Sequence, residues 1–210
     1  MAKYCLDPVA ANCYPDTAVL INKLGIQDDE KLLQAEMDIT QVAAARWERL
    51  PQSDSFDFEH YKAIHKHLFQ ELYDWAGLTR DVDISKKGVK FCPYIEIENY
   101  AGRIFNRLRN NGFLSGLPKN KYVSEFIDLY IATNYLHPFR EGNGRTQRLF
   151  LAQLTRRARY ELNFAYINVD ELMIATIHSA QGVRDGLEQI FTKAINKASL
   201  VHHHQANNKD

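Results

Sequence analysis

His137-Pro138-Phe139-Arg140-Glu141-Gly142-Asn143-Gly144-Arg145-Thr146-Gln147-Arg148 lies between two apolar stretches. Phe126, Ile127, Leu129, Tyr130, Ile131 and Tyr135 precede it; Leu149, Phe150, Leu151 and Leu154 follow. Both sets recur at helical spacing. Pro138 disfavours α conformation at His137, so the first helix should end there. Gly142, Asn143 and Gly144 tolerate backbone angles that other residues avoid, and a second helix is expected from about Gly144. The stretch thus predicts a tight junction between two buried helices.

Outward from that junction the chain stays helical. Leu32, Leu33, Ala35, Met37, Ile39, Val42, Ala43 and Trp47 give helical periodicity over 28–49. Phe58, Tyr61, Ile64, Leu68, Phe69 and Leu72 give it again from about Asp57 to Asp74, with Ser55 or Asp57 as N-cap and Gly77 as a C-terminal cap. Further helices are expected near 17–24 (capped by Asp16 or Thr17), 95–111, 118–135, 144–159, 169–181 and 183–197. The period changes once. Val82-Asp83-Ile84-Ser85 and Val89-Lys90-Phe91-Cys92 alternate across Lys86-Lys87-Gly88, which reads as a short β-hairpin. The expected fold class is therefore mostly α, a helical bundle with one short hairpin.

The junction also carries chemistry. A helix that starts at a glycine-rich loop presents unpaired N–H groups and the positive end of its dipole, which favour an anion. Arg145 and Arg148, three residues apart, share a face and can fork to phosphate oxygens. Glu141 beside an anion site makes sense if Mg²⁺ sits between carboxylate and phosphate. His137 at the entrance can take a proton near neutral pH.

Composition narrows the field. The 210 residues hold 45% hydrophobic and 25% charged side chains, ordinary for a globular protein. Lys plus Arg and Asp plus Glu both number 26, which argues against direct nucleic-acid binding by bulk charge. No apolar run is long enough for a membrane span, and the start lacks a signal-peptide core. Cys5, Cys13 and Cys92 are odd in number and widely spaced, as in a reducing cytoplasm.

His137 to Arg148 matches, at every specified position, the motif His-x-Phe-x-Asp/Glu-Gly-Asn-Gly-Arg-x-x-Arg, and the chain resembles the Fic family. Leu68 to Gly77 with Arg80 resembles the segment before the Fic hairpin, and Lys87-Gly88-Val89-Lys90-Phe91 resembles that hairpin, called the flap. The likeness covers roughly residues 10–195. It implies the Fic fold, as a single domain over 1–200, and transfer of AMP from ATP to a hydroxyl side chain of a target protein. By the same resemblance His137 would be the base, Glu141 would hold Mg²⁺, and Gly142, Asn143 and Gly144 would form the anion hole. Arg145 would contact the β-phosphate and Arg148 the γ-phosphate. Gly144 stands where a kinase-like branch carries Lys. The flap would dock the target or serve as a connector, with Lys87 and Lys90 near the phosphates or solubilising its edge. Trp75, Gly77 and Arg80 read as structural supports of the flap. Met173 and Ile174 read as core, with a base pocket as the alternative.

Many Fic proteins are restrained by a helix with Ser/Thr-x-x-x-Glu-Gly/Asn. Here only Ser55 to Glu59 has the first spacing, and His60 follows it. The expectation is a toxin whose inhibitory helix comes from a small separate antitoxin, with DNA gyrase and topoisomerase IV as target proteins by family analogy. The alternatives are UMP or phosphate transfer, AMP removal, or a silent nucleotide-binding regulator. Residues 201–210, including His202, His203 and His204, read as a disordered tail.

Overall fold

The computed structural model describes residues 5–6, 12–50, 54–86 and 88–198. The expectations for Lys87 and for the tail at 201–210 lie outside them. Among the described residues seven helices carry the fold: α1 (Asp29–Trp47), α2 (Phe58–Phe69), α3 (Ile97–Asn110), α4 (Lys119–Leu136), α5 (Asn143–Arg157), α6 (Val169–Ser179) and α7 (Asp185–Ala194). Side-chain caps start several of them. Asp28 accepts from the Lys31 N–H at 2.9 Å and Asp57, rather than Ser55, from the His60 N–H at 2.8 Å.

Helix α5 packs against both α2 and α4, with α1 against α2 and α7 against α4. Phe150 of α5 is fully buried, with Tyr61, Phe56 and Phe105 edge-on to it at 5.2, 5.6 and 5.7 Å. Gln147 ties the two motif helices together. Its Nε2 donates to Tyr130 C=O at 2.9 Å and to Thr133 Oγ1 at 2.8 Å, so a buried amide is satisfied inside the packing.

The hairpin is present as β2 (Ile84–Lys86) and β3 (Val89–Lys90), antiparallel, with Ser85 opposite Lys90. Two expectations about strands need correction. A strand β1 (Cys5–Leu6) joins the hairpin, with Leu6 opposite Ile84. A second sheet pairs β4 (Tyr160–Leu162) with β5 (Ile195–Lys197), so the last helix ends at Ala194. Runs of two or three residues show no period of their own.

The helix expected near 17–24 is absent; Cys13 instead pairs with Leu20 in a bridge. Side chains there take the backbone's partners. Thr17 Oγ1 donates to Tyr14 C=O and accepts from the Val19 N–H, and the Asn22 amide spans Leu20 and Ile26. Such local bonds compete with helix formation. Helix α2 stops at Phe69 rather than Asp74, because the Leu72 and Tyr73 N–H groups both turn back to Phe69 C=O. Ile174, read as core, is 51% exposed. No helix among the described residues is long and apolar enough to cross a membrane.

The motif junction turns on two left-handed residues. His137 caps α4 at φ 39°, ψ 59°, and Gly142 caps α5 at φ 79°, ψ 2°. At Gly142 glycine is required twice over: a Cβ there would stand 2.3 Å from Cε2 and Cζ of Phe69. Gly142→Ala should cost about 1–3 kcal/mol in backbone strain and about 1–3 kcal/mol more in overpacking. Urea unfolding followed by circular dichroism checks this; an unchanged midpoint would show that the contact has no structural weight.

Candidate functional site

The α4–α5 junction is clamped from inside. Asn143 Oδ1 accepts from the Phe139 N–H at 2.9 Å and its Nδ2 donates to Phe139 C=O at 2.7 Å. The Asn143 side chain thus holds the loop through both its amide oxygen and its amide nitrogen. Phe139 is fully buried between His65, stacked at 3.8 Å, and Tyr61, stacked at 5.8 Å. His65 accepts the Gly77 N–H on Nδ1 at 2.8 Å and reaches Glu141 C=O through Nε2 at 3.0 Å. That pair of bonds requires the neutral Nε2–H tautomer. Burial accordingly pushes the His65 pKa down to about 3.

His137 is 7% exposed. Its Nδ1 lies 2.8 Å from Asn134 C=O, which accepts only, so Nδ1 carries the hydrogen and Nε2 is the basic nitrogen. The Phe91 ring stacks on the imidazole at 3.7 Å and 10°. Burial, with smaller help from the Lys86 and Arg80 charges and against the Asn134 bond, pushes its pKa down to about 3. The imidazole is therefore neutral across the physiological range.

Arg80 staples the hairpin to this histidine. It is 4% exposed, and its Nε, NH1 and NH2 donate to the carbonyls of His137 (2.9 Å), Val82 (2.7 Å) and Cys92 (2.5 Å). Its own N–H donates to Pro138 C=O, and the Cys92 N–H to Tyr135 C=O. The supporting role expected of Arg80 is what the geometry shows. Trp75 likewise stacks on Tyr73, at 4.3 Å.

Glu141 lies at the mouth of α5. Its Oε1 accepts the Gly142 N–H at 2.8 Å and stands 3.5 Å from Arg145 NH2. Burial first, then the Glu36 carboxylate, raises its pKa, against the Gly142 N–H, Arg145 and Lys86. The carboxylate thus occupies one of the helix-mouth donors expected for an anion. Arg145 is held over the Phe69 ring at 4.7 Å and pairs with Glu36 at 2.5 Å. Arg148 differs. It is exposed, and no ion pair or hydrogen bond holds it among the described residues; the like charge of Arg145 acts on it from one turn away. Gly144 is exposed, with open space around its Cα.

The flap residues divide. Phe91 reaches His137, whereas Gly88, Val89 and Lys90 sit at the hairpin turn, with Gly88 and Lys90 exposed. No hydrogen bond or ion pair joins those three to the junction among the described residues. The hairpin lysine whose charge acts on both His137 and Glu141 is Lys86. Sequence reasoning missed Lys86, His65, Glu36 and Tyr73. Only the helical phase of Glu36, a charged residue on the inward face of an otherwise apolar pattern, offered a signal. No cluster of three or more His, Cys, Asp or Glu side chains forms among the described residues. Magnesium needs no such cage, since one carboxylate plus substrate phosphates suffices, and Glu141 with an acceptor oxygen at the helix mouth fits that donor set.

His65 and His137 both bind a proton more weakly folded than unfolded, where a histidine titrates near 6.5. Their contribution to stability is therefore complete above pH 6.5 and is lost as pH falls from there towards 3. Each approaches a slope of about 1.4 kcal/mol per pH unit inside that window. Urea midpoints should fall from pH 6.5 to 4.5, and His65→Gln should make the fall shallower. Equal slopes in the two proteins would show that His65 is not buried neutral.

Residues 55–155 match the model of the Fic/DOC family. A Salmonella typhimurium protein named "Probable protein adenylyltransferase Fic" is 37% identical over 185 residues, which cover 88% of this chain and 92% of that one. The Bartonella schoenbuchensis "Protein adenylyltransferase VbhT" is 39% identical over 187 residues; they cover 89% of this chain but only 39% of that longer protein. Among solved structures, BepC of Bartonella tribocorum with bound AMPPNP superposes with a TM-score of 0.83 at 26% identity, over 90% of this chain and 97% of that one. The type IV secretion system effector protein BepA reaches the same TM-score at 31% identity, over 88% of this chain and 68% of that one. Helix–loop–helix junction, flap and full-length likeness agree, and the chain belongs to the Fic/DOC family.

Proposed function

We propose that this chain is a protein adenylyltransferase that moves AMP from ATP to a hydroxyl side chain of another protein. The observation that carries the reading is a neutral, buried His137 at the end of α4, joined by a clamped loop to the mouth of α5, where Glu141, Arg145 and Arg148 sit. Relatives that match along nearly the whole chain bear the adenylyltransferase name. In the proposed step the target oxygen forms a bond to the α-phosphorus while its proton passes to His137 Nε2. The bond from the α-phosphorus to the bridging oxygen breaks, and pyrophosphate leaves with that electron pair. Backbone N–H groups at Asn143 and Gly144, and at Gly142 once Glu141 releases it, would with Arg145 and Arg148 stabilise charge on the phosphates. Glu141 would hold Mg²⁺, which neutralises phosphate charge when bound. The flap, stapled to His137 by Arg80, would hold the target segment by strand addition.

The same reading extends to control. Glu59, the one glutamate with the inhibitory spacing, pairs with Lys62 at 2.7 Å and not with Arg148. A small separate partner would supply the restraining glutamate to Arg148, as an antitoxin does for a toxin. The reaction belongs in the cytoplasm, with DNA gyrase and topoisomerase IV the first target proteins to try.

With α-labelled and γ-labelled ATP and a bacterial lysate, the α-label should enter protein and the γ-label should not; transfer of the γ-label would mean kinase-type chemistry instead. His137→Ala should lower α-transfer by about 10²–10⁴-fold. A near wild-type rate would remove His137 from the base role. Glu141→Gln should raise the Mg²⁺ concentration for half-maximal transfer while leaving the urea midpoint close to wild type. Equal half-saturation in both proteins would remove Glu141 from the metal site.

A further inference from the structure

Arg145 and Arg148 lie on the same helical face, one turn apart, yet the fold treats them differently. Arg148 is exposed and held by no ion pair among the described residues. Arg145 is fixed on three sides. Its NH2 donates to Glu36 Oε2 at 2.5 Å, its NH1 lies 3.5 Å from Thr40 Oγ1, and the Phe69 ring lies 4.7 Å beneath the guanidinium. Phe69 is the same ring that closes against Gly142, so loop and arginine share one platform.

Glu36 itself is committed. It is 5% exposed on α1, a helix remote in sequence from the junction. Its Oε1 accepts the hydroxyl of Tyr73, which is 1% exposed, and its Oε2 takes Arg145. Thr40 Oγ1 donates to Glu36 C=O at 2.6 Å, one turn along the same helix. A carboxylate in so dry a setting is not there for the surface, since burying a charge is costly unless it is paired and hydrogen-bonded. What the pairing produces is an arginine with one edge anchored. The Nε–H takes part in none of these contacts, and Glu141 at the mouth of α5 approaches NH2 at 3.5 Å.

We propose that Glu36, with Tyr73 behind it, is a positioning residue that sets the Arg145 guanidinium in the orientation that receives the leaving phosphates. A free arginine side chain would lose rotamer freedom on meeting the phosphates, whereas Glu36 has it already lost. Glu36 also places a negative charge near an anionic substrate, which opposes ground-state binding. Removing its charge therefore relaxes that opposition while it releases the arginine. The two effects offset each other in nucleotide affinity but not in the transition state. The inference rests on the reading of Arg145 as a phosphate-binding side chain.

The test is a double-mutant cycle in the full chain. Glu36→Gln preserves size and should lower kcat about 10–100-fold while KM for ATP stays within about threefold, because orientation rather than contact is lost. Tyr73→Phe keeps the ring and should lower kcat in the same direction by a smaller factor. Arg145→Ala removes the group through which both act. In that background Glu36→Gln should cause no further fall in kcat, and it should raise the urea midpoint, since it neutralises a buried carboxylate left without its partner. Multiplicative losses in the double variant, or a wild-type kcat in Glu36→Gln, would overturn the proposal and make Glu36 a structural residue. Should Glu36→Gln fail to fold, the same cycle run with Tyr73→Phe decides by the same criterion. A wild-type chain that transfers no AMP would fail the adenylyltransferase reading itself, and this inference with it; an active wild type with multiplicative losses overturns this inference alone.

Discussion

The close approach of backbone to ring at Gly142 is the constraint around which the rest is arranged. A chain leaving α4 must reverse and start α5 within a few residues, while α5 stays packed on both α4 and α2. The turn uses left-handed residues at His137 and Gly142, and its second half lies directly on Phe69. Left-handed backbone at a non-glycine residue such as His137 is held only when its surroundings over-determine it. Here Arg80 takes the His137 carbonyl, Asn134 takes its Nδ1–H and Phe91 covers its face. Strain, tautomer and hairpin position are parts of one local solution.

That solution explains the electrostatics. An imidazole packed this way stays neutral, with its hydrogen on Nδ1. The mouth of α5 would attract any anion, and Glu141 answers it internally through the Gly142 N–H. A helix mouth that satisfies its own positive end in this way is stable without ligand. Arg145 belongs to the same economy of charge, balanced between Glu36 and Glu141, whereas Arg148 is left outside it.

Much of this was legible in the residues. Pro138 and the glycine pair marked the junction, and the apolar spacing of α1, α2, α4 and α5 gave their extents to within a few residues, except that α2 ends at Phe69. Glu141 and Arg145, four residues apart on the motif, do meet at the mouth of α5, at 3.5 Å. What was not legible depended on distance in sequence. Glu36 meets Arg145 across more than a hundred residues, and His65 reaches Glu141 C=O across the core. The short pairs β1–β2 and β4–β5 carry too few residues to show a period, and the Thr17 and Asn22 side chains diverted a helical-looking stretch into turns. The Asn143 amide bonds both ways to Phe139, a local contact that spacing alone does not show.

The central claim is that the fold holds His137 neutral, with its hydrogen on Nδ1 and its lone pair on Nε2. The ring nitrogens of ¹⁵N-labelled protein report this directly in long-range proton–nitrogen NMR, with His137→Ala used to assign the signals. The account predicts a pyrrole-type Nδ1 and a pyridine-type Nε2 that keep their shifts from pH 8 down to pH 5. Two equivalent, protonated nitrogens at pH 6, or the reverse tautomer, would contradict it.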